Sequence, residues 1–148
     1  MSHPVVFKNA LVIDGTGAPP QPVPTVIVAE GTIQEIAGPK ANAPRGAQVV
    51  DLKGKCLMPG LIDAHIHAGN VELRTPLTAQ LPAAVYVLKA CRNLETDLEL
   101  GYTTVRDAAG LDPSFRAAIE QGLLKGPRLL LSITPLSQSG ANSPVRGF

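Results

Sequence analysis

Two histidines, His65 and His67, stand two residues apart at the end of the run Leu57-Met58-Pro59-Gly60-Leu61-Ile62-Asp63-Ala64-His65-Ile66-His67. An extended strand sends successive side chains to opposite faces, so the two imidazoles emerge side by side while Ile62, Ala64 and Ile66 turn toward apolar packing. Neutral imidazole is the commonest protein ligand for zinc-class metals, and two on one strand end supply half of a four-coordinate site. A His-x-His pair also serves as a polar surface feature or a satisfied core pair; the setting favours the metal. Pro59-Gly60 breaks the chain, the apolar run that follows carries Asp63 two residues ahead of the first histidine, and Ala68-Gly69-Asn70 ends it in a loop. Strict alternation puts Asp63 on the imidazole face one pleat deeper, where it reads as a structural or supporting carboxylate rather than a ligand.

The elements around this pair follow a regular grammar. After a polar loop from Gly69 to about Thr78, Leu81, Ala84, Val85, Leu88, Cys91, Leu94 and Leu98 recur at spacings of three and four, which predicts an amphipathic helix. Pro82 suits its first turn, Gly101 its stop, and Lys89, Arg92, Asn93 and Glu99 its wet face. Tyr102-Thr103-Thr104-Val105 reads as a strand ending in Arg106-Asp107. Asp112-Pro113 caps a second helix with Phe115, Ala118, Ile119 and Leu123 as its buried face, ended by Gly126-Pro127. Leu129 to Ile133 is a third strand. Strands alternating with helices over short links predict a parallel sheet, whose functional residues gather at the C-terminal strand ends. Arg106 and Asp107 lie at such an end, either as an ion pair or strand-end hydrogen bonds, or as substrate contact or support for the metal ligands. The loop from Thr134 to Gly140 lies at another.

Upstream of Pro59 the pattern is all β. Val5-Val6-Phe7 and Ala10 to Ile13 are β-rich runs closed by Asp14-Gly15, and Gly17 to Pro24 reads as a proline-rich loop. Thr25 to Ala29 and Thr32 to Ile36 flank Glu30-Gly31 as a tight hairpin, and Gln48 to Leu52 and Lys55 to Met58 form a pair around Lys53-Gly54. His3 belongs to a solvated terminus.

Composition narrows the class. With 13 Lys plus Arg against 12 Asp plus Glu the net charge is +1, so no strong field recruits nucleic acid or an anionic membrane. Small-molecule or peptide chemistry is the natural alternative. Aromatic residues are only 3% of the chain, leaving a core of Val, Ile, Leu and Ala that suits a parallel sheet. Cys56 and Cys91 have no disulfide or CxxC spacing and read as small core residues. Without a signal-like start or an apolar stretch approaching 18 residues, the expectation is a cytoplasmic protein with no membrane partner.

On these motifs the chain resembles the amidohydrolase superfamily. Pro59 to His67 is similar to its first barrel strand, and Asn9–Gly17, Thr25–Ala37 and Val49–Gly60 are similar to the small β-domain before the barrel. Leu98–Gly110 and Gly126–Gly140 are similar to the second and third strands of the branch related to imidazolonepropionase and to Xaa-Pro dipeptidase or arginine carboxypeptidase-like members. The resemblance implies an α/β chain, with part of a small β-sandwich at residues 1–58 and the first three β/α units of a TIM-barrel metal-dependent hydrolase at 59–148. A complete barrel needs about 250 residues, so this one is incomplete.

The resemblance also implies one or two divalent ions, zinc first, held in part by His65 and His67, with Asp63, Arg106 and Asp107 as supporting candidates. The reaction implied is metal-assisted hydrolysis of an amide or peptide bond, in a dipeptide or an N-acyl amino acid. The family's remaining ligands, from later strands, have no counterpart here, where the histidines are His3, His65 and His67. The end of the chain, Ala141 to Phe148, also departs from the His- and Asp-bearing sequence of that branch, as in a truncated or frame-disrupted product or one piece of a longer protein. Two alternatives stay open: a related deaminase or cyclic-amide hydrolase using the same imidazoles, and a non-catalytic fragment that forms a homo-oligomer over an exposed sheet edge.

Overall fold

The computed structural model describes residues 3–22, 24–72 and 80–134. It is a mixed α/β chain that divides into two compact units, Met1–Pro59 and Gly60–Phe148.

In the first unit, β1 (Val5–Lys8), β2 (Leu11–Val12), β3 (Gln21–Pro22), β4 (Thr25–Ala29), β5 (Thr32–Ala37), β6 (Gln48–Asp51) and β7 (Cys56–Leu57) form two sheets, ordered β5-β4-β1-β6 and β3-β2-β7. The β4–β5 hairpin turns on Glu30 (φ 53°) and Gly31 (φ 74°), the two positive φ values that a tight turn between right-twisted strands demands. Three expectations change here. Residues 17–24, expected as loop, contain β3, whose Pro22 is tolerated because β3 is an edge strand. The segments around Lys53-Gly54 do not pair with each other: β6 runs parallel to β1 and β7 parallel to β2. Lys53 (φ 50°) and Gly54 (φ 81°) turn the chain from one sheet to the other. Ala10, Val12 and Val26 are the buried centre, with Phe7, Val28, Leu52 and Leu57 packed against it. Cys56, expected inside, is exposed on the edge strand β7.

In the second unit, β8 (Leu61–Ile66), α1 (Ala83–Glu99), β9 (Tyr102–Asp107), α2 (Pro113–Glu120) and β10 (Arg128–Leu131) alternate, and the strands form a sheet ordered β10-β9-β8 with both pairings parallel. The start of β8 fits against β9 only because residue 60 is glycine: a Cβ there would lie 2.1 Å from the Thr103 hydroxyl oxygen. Asp112 caps α2 by accepting from the Ser114 N–H at 2.7 Å, with Pro113 in the first turn.

The helix faces differ from the predicted ones. The buried stripe of α1 is Tyr86, Ala90 and Leu94, whereas Ala84, Val85 and Leu88 are exposed. Leu88 is 71% exposed and Leu94 is 0%. The reason is one of phase: both stripes share Leu94, and the sheet receives the side carrying Tyr86, whose ring meets Phe115 edge-on at 6.4 Å. On α2, Phe115 is buried, but Leu123 lies past the helix end, beyond Gly122 (φ 71°), and is exposed. The core here is Ala68, Tyr86, Ala90, Leu94, Val105, Leu111, Phe115 and Leu129. Among the described residues no helix is long and apolar enough to cross a membrane.

The phase of α1 is open to direct test. Leu94→Ala is expected to cost about 2–5 kcal/mol in urea unfolding, while Leu88→Ala should change stability by no more than about 0.5 kcal/mol; equal losses would mean that the helix packs on the predicted face instead.

Candidate metal centre

Alternation along β8 is interrupted just before the histidines. Asp63 pairs with Val105 and Ile66 with Asp107, so β8 carries one more residue than β9 between these positions. Residues opposite each other in a parallel pair share a face, and a bulge resets the alternation. Asp63 therefore falls on the helix side with Val105 and Ile66, not one pleat below the imidazoles as strict period-two counting has it. Its carboxylate turns back to accept the His65 N–H at 2.9 Å. Of the three residues expected to pack opposite the histidines, only Ile66 joins the core, and Ile62 and Ala64 are exposed. β8 is an edge strand, and Leu61 and Ile62 in its first half are 42% and 72% exposed.

His65 and His67 emerge on the other face, both exposed. Their Nε2 atoms are 3.2 Å apart, with the rings edge to face. Two nitrogens on one tetrahedral ion, with bonds of about 2.0–2.1 Å, lie about 3.3–3.4 Å apart, so the pair fits two donors to one metal. His67 Nδ1 lies 3.2 Å from the Ala109 carbonyl oxygen. A carbonyl only accepts, so Nδ1 carries the hydrogen and the Nε2 lone pair is left for the metal. The metal-free contact is then a His65 Nε2–H donated to His67 Nε2. Among the described residues no group of three or more His, Cys, Asp or Glu gathers to hold an ion.

The backbone under His67 is tightly held. Asp107, fully buried, accepts from Ala68 N–H at 2.9 Å through one carboxylate oxygen and from Leu111 N–H at 3.3 Å through the other. Burial pushes its carboxyl above the usual range, against the pull of the Leu111, Ala68 and Gly69 N–H groups and the neighbouring His67. Of the readings open for this residue, strand-end hydrogen bonding is the one seen. Arg106, between Val105 and Asp107, is exposed on the imidazole face. From α1, Asn93 donates to the Ala68 carbonyl at 2.9 Å, and Tyr86 donates its hydroxyl to the Gly110 carbonyl. Gly69 approaches Gly110 so closely that a Cβ on it would sit 2.6 Å from that carbonyl oxygen.

Sequence reasoning had Asn93 on the wet face. It is half-buried, and a stripe phased on Tyr86 and Ala90 reaches positions 93 and 97 by helical spacing. Asp97, which with Asn93, Thr96, Ile66, His67 and Ala68 lines a cavity of about 230 Å³, has its carboxyl raised by burial and then by the charge of Asp63. The expected loop at 134–140 lies outside the described residues apart from Thr134, as does the divergent end.

Asp107→Ala leaves the Ala68 and Leu111 N–H groups buried without their acceptor and is expected to cost about 2–4 kcal/mol in chemical denaturation. Asp107→Asn, which keeps one acceptor oxygen, should lose less; equal stability of the alanine variant and the parent would contradict the role given to this carboxylate.

Known proteins resemble this chain over most of its length. Ochratoxinase from Aspergillus niger is 30% identical over 147 residues, covering 95% of this chain and 30% of that protein. Imidazolonepropionase from Geobacillus thermodenitrificans is 28% identical over 122 residues, covering 65% of this chain and 29% of that one. A crystal structure of a prolidase complexed with N-methylphosphonate-L-proline superposes with a TM-score of 0.85 at 32% identity, over 93% of this chain and 33% of that one. The chain thus spans about a third of the length of these relatives. The family model described as the amidohydrolase family matches residues 48–135, a stretch that contains both histidines, Asp107 and the three strands of the β10-β9-β8 sheet. On that match, which takes in more than half of its residues, the chain belongs to the amidohydrolase family.

Proposed function

We propose that this chain is the N-terminal part of a metal-dependent amidohydrolase that hydrolyses a carbon–nitrogen bond, with His65 and His67 as two of its metal ligands. The observation that carries the reading is the pair of Nε2 atoms 3.2 Å apart, a separation suited to one ion. In this reading the first unit is part of a β-sandwich and the second is the first three β/α units of a TIM barrel, with the site at the C-terminal strand ends. Parallel pairing of β8, β9 and β10 supports it.

The chemistry that one or two zinc-class ions supply when bound is polarisation of a carbonyl and acidification of a water molecule. This chain's residues do the holding. His67 presents its Nε2 lone pair, His65 would present its own once its proton moves from Nε2 to Nδ1, the Ala109 carbonyl sets the tautomer of His67, and Asp107 fixes the backbone that follows. Arg106 extends from the imidazole face, where a guanidinium suits the carboxylate of a dipeptide or an N-acyl amino acid. The likeness to a prolidase favours the same substrate class. The likeness to imidazolonepropionase favours a second reading, a cyclic-amide hydrolase on the same imidazoles.

Zinc titrated calorimetrically into the chain is expected to bind with an affinity well below that of a three- or four-ligand site, and His65→Ala/His67→Ala should abolish the binding. Equal binding by both proteins would refute the ligand assignment. With two ligands in hand, the zinc-loaded chain is expected to turn over neither Xaa-Pro and N-acyl amino acid substrates nor cyclic amides; turnover that vanishes in His65→Ala would mean that the chain completes a site by itself, and the substrate class would decide between the two readings.

Self-association belongs to the same proposal. β10 is an edge strand that ends at Leu131, short of the Ile133 expected from the sequence; Leu130 on it is 50% exposed, as is Ile133 two residues past its end, and open apolar edges recruit partners. Sedimentation across a concentration series should show mass rising with concentration; a concentration-independent monomer would contradict it.

A further inference from the structure

The peptide groups on either side of Ala68 are anchored from different elements. Asp107 on β9 takes the N–H at 2.9 Å, and Asn93 on α1 donates to the C=O at 2.9 Å. Ala68 itself is only 5% exposed, so its carbonyl is directional and shielded rather than open to bulk water. The next residue, Gly69, packs directly on Gly110, and the residue before Gly110 is Ala109, whose carbonyl meets His67 Nδ1 at 3.2 Å. His67, Ala68, Gly69, Gly110 and Ala109 thus form a closed circuit, and Asn93 enters it where no other helix side chain bonds the Ala68 carbonyl among the described residues.

We infer that Asn93 is a positioning residue for His67: by fixing the Ala68–Gly69 peptide it holds Gly69 against Gly110 and so keeps the Ala109 carbonyl in line with Nδ1. The inference deepens the metal-ligand reading of His67 and rests on it for its functional meaning. Chemically, the consequence is control of a tautomer. With the Ala109 carbonyl in line, Nδ1–H is the favoured form and Nε2 keeps its lone pair toward His65. Without Asn93 the carbonyl of Ala68 faces the cavity of about 230 Å³ beside it, where water can satisfy it without fixing its direction. The bond is then replaced and the restraint is lost.

The test uses the metal-free 148-residue chain, with Asn93→Ala, with the isosteric Asn93→Asp, which has no donor, and with Leu98→Ala, a truncation at a half-buried position five residues further along the same helix. Long-range ¹H–¹⁵N spectra of the His67 ring report its tautomer. The parent and Leu98→Ala should show a dominant Nδ1–H form, whatever stability the latter loses, while both Asn93 variants should show averaged signals from interconverting tautomers. Unchanged ring signals in Asn93→Asp, or the same averaging in Leu98→Ala, would overturn the inference. Zinc titration of the same proteins is expected to show about tenfold or greater weakening in the Asn93 variants. A parent that binds zinc independently of His65 and His67 would overturn the ligand reading instead, and the ring spectra would still decide the positioning role.

Discussion

The hydrogen bond from Ala68 N–H to the buried carboxylate of Asp107 is the contact on which the arrangement of the second unit turns. It joins the end of β8 to the end of β9 at the point where the imidazoles emerge, and the second oxygen of the same carboxylate reaches on to Leu111 at the mouth of α2. Three elements are therefore registered by one side chain. A buried carboxylate is costly to desolvate, which is why its proton affinity is raised, and backbone N–H groups are what make it tolerable there. Such a group specifies geometry more than it adds stability.

Small residues make that geometry possible. Gly60 lets the start of β8 lie against Thr103, Gly69 lets its loop approach Gly110 to a distance that no Cβ allows, and Gly110 turns the other loop at φ 116°. Apolar packing of Tyr86, Leu94, Leu111 and Phe115 then presses α1 and α2 onto the helix side of the sheet, and His65, His67 and Arg106 stay exposed on the other. His67 is oriented from behind by a carbonyl, as metal-ligating histidines are.

Much of this was legible in the sequence because it depends on local rules. The β-α-β-α-β order followed from the alternation of apolar periods, the cap of α2 from Asp112-Pro113, and the imidazole pair from a spacing of two. What was not legible depends on register. The bulge in β8 is set by how it pairs with β9, and nothing in Asp63-Ala64-His65-Ile66 announces it; Asp63 accordingly changed face. The phase of α1 was ambiguous because apolar residues surround much of the helix, and reading Leu88 as buried put Asn93 on the wrong side. Asp107 was visible as a strand-end acid, but its partners are two backbone groups far apart in sequence, which no side-chain pattern records. The split of β6 and β7 between two sheets is of the same kind, since the turn at Lys53-Gly54 fixes a change of direction without fixing the partner.

The central claim is that β8 delivers two imidazoles to one metal ion. X-ray absorption at the zinc edge of the zinc-loaded chain measures this most directly. The account predicts scattering from two imidazole rings with nitrogen at about 2.0–2.1 Å, falling to one in His65→Ala and in His67→Ala. A first shell with no imidazole contribution, or one unchanged by either substitution, would contradict it.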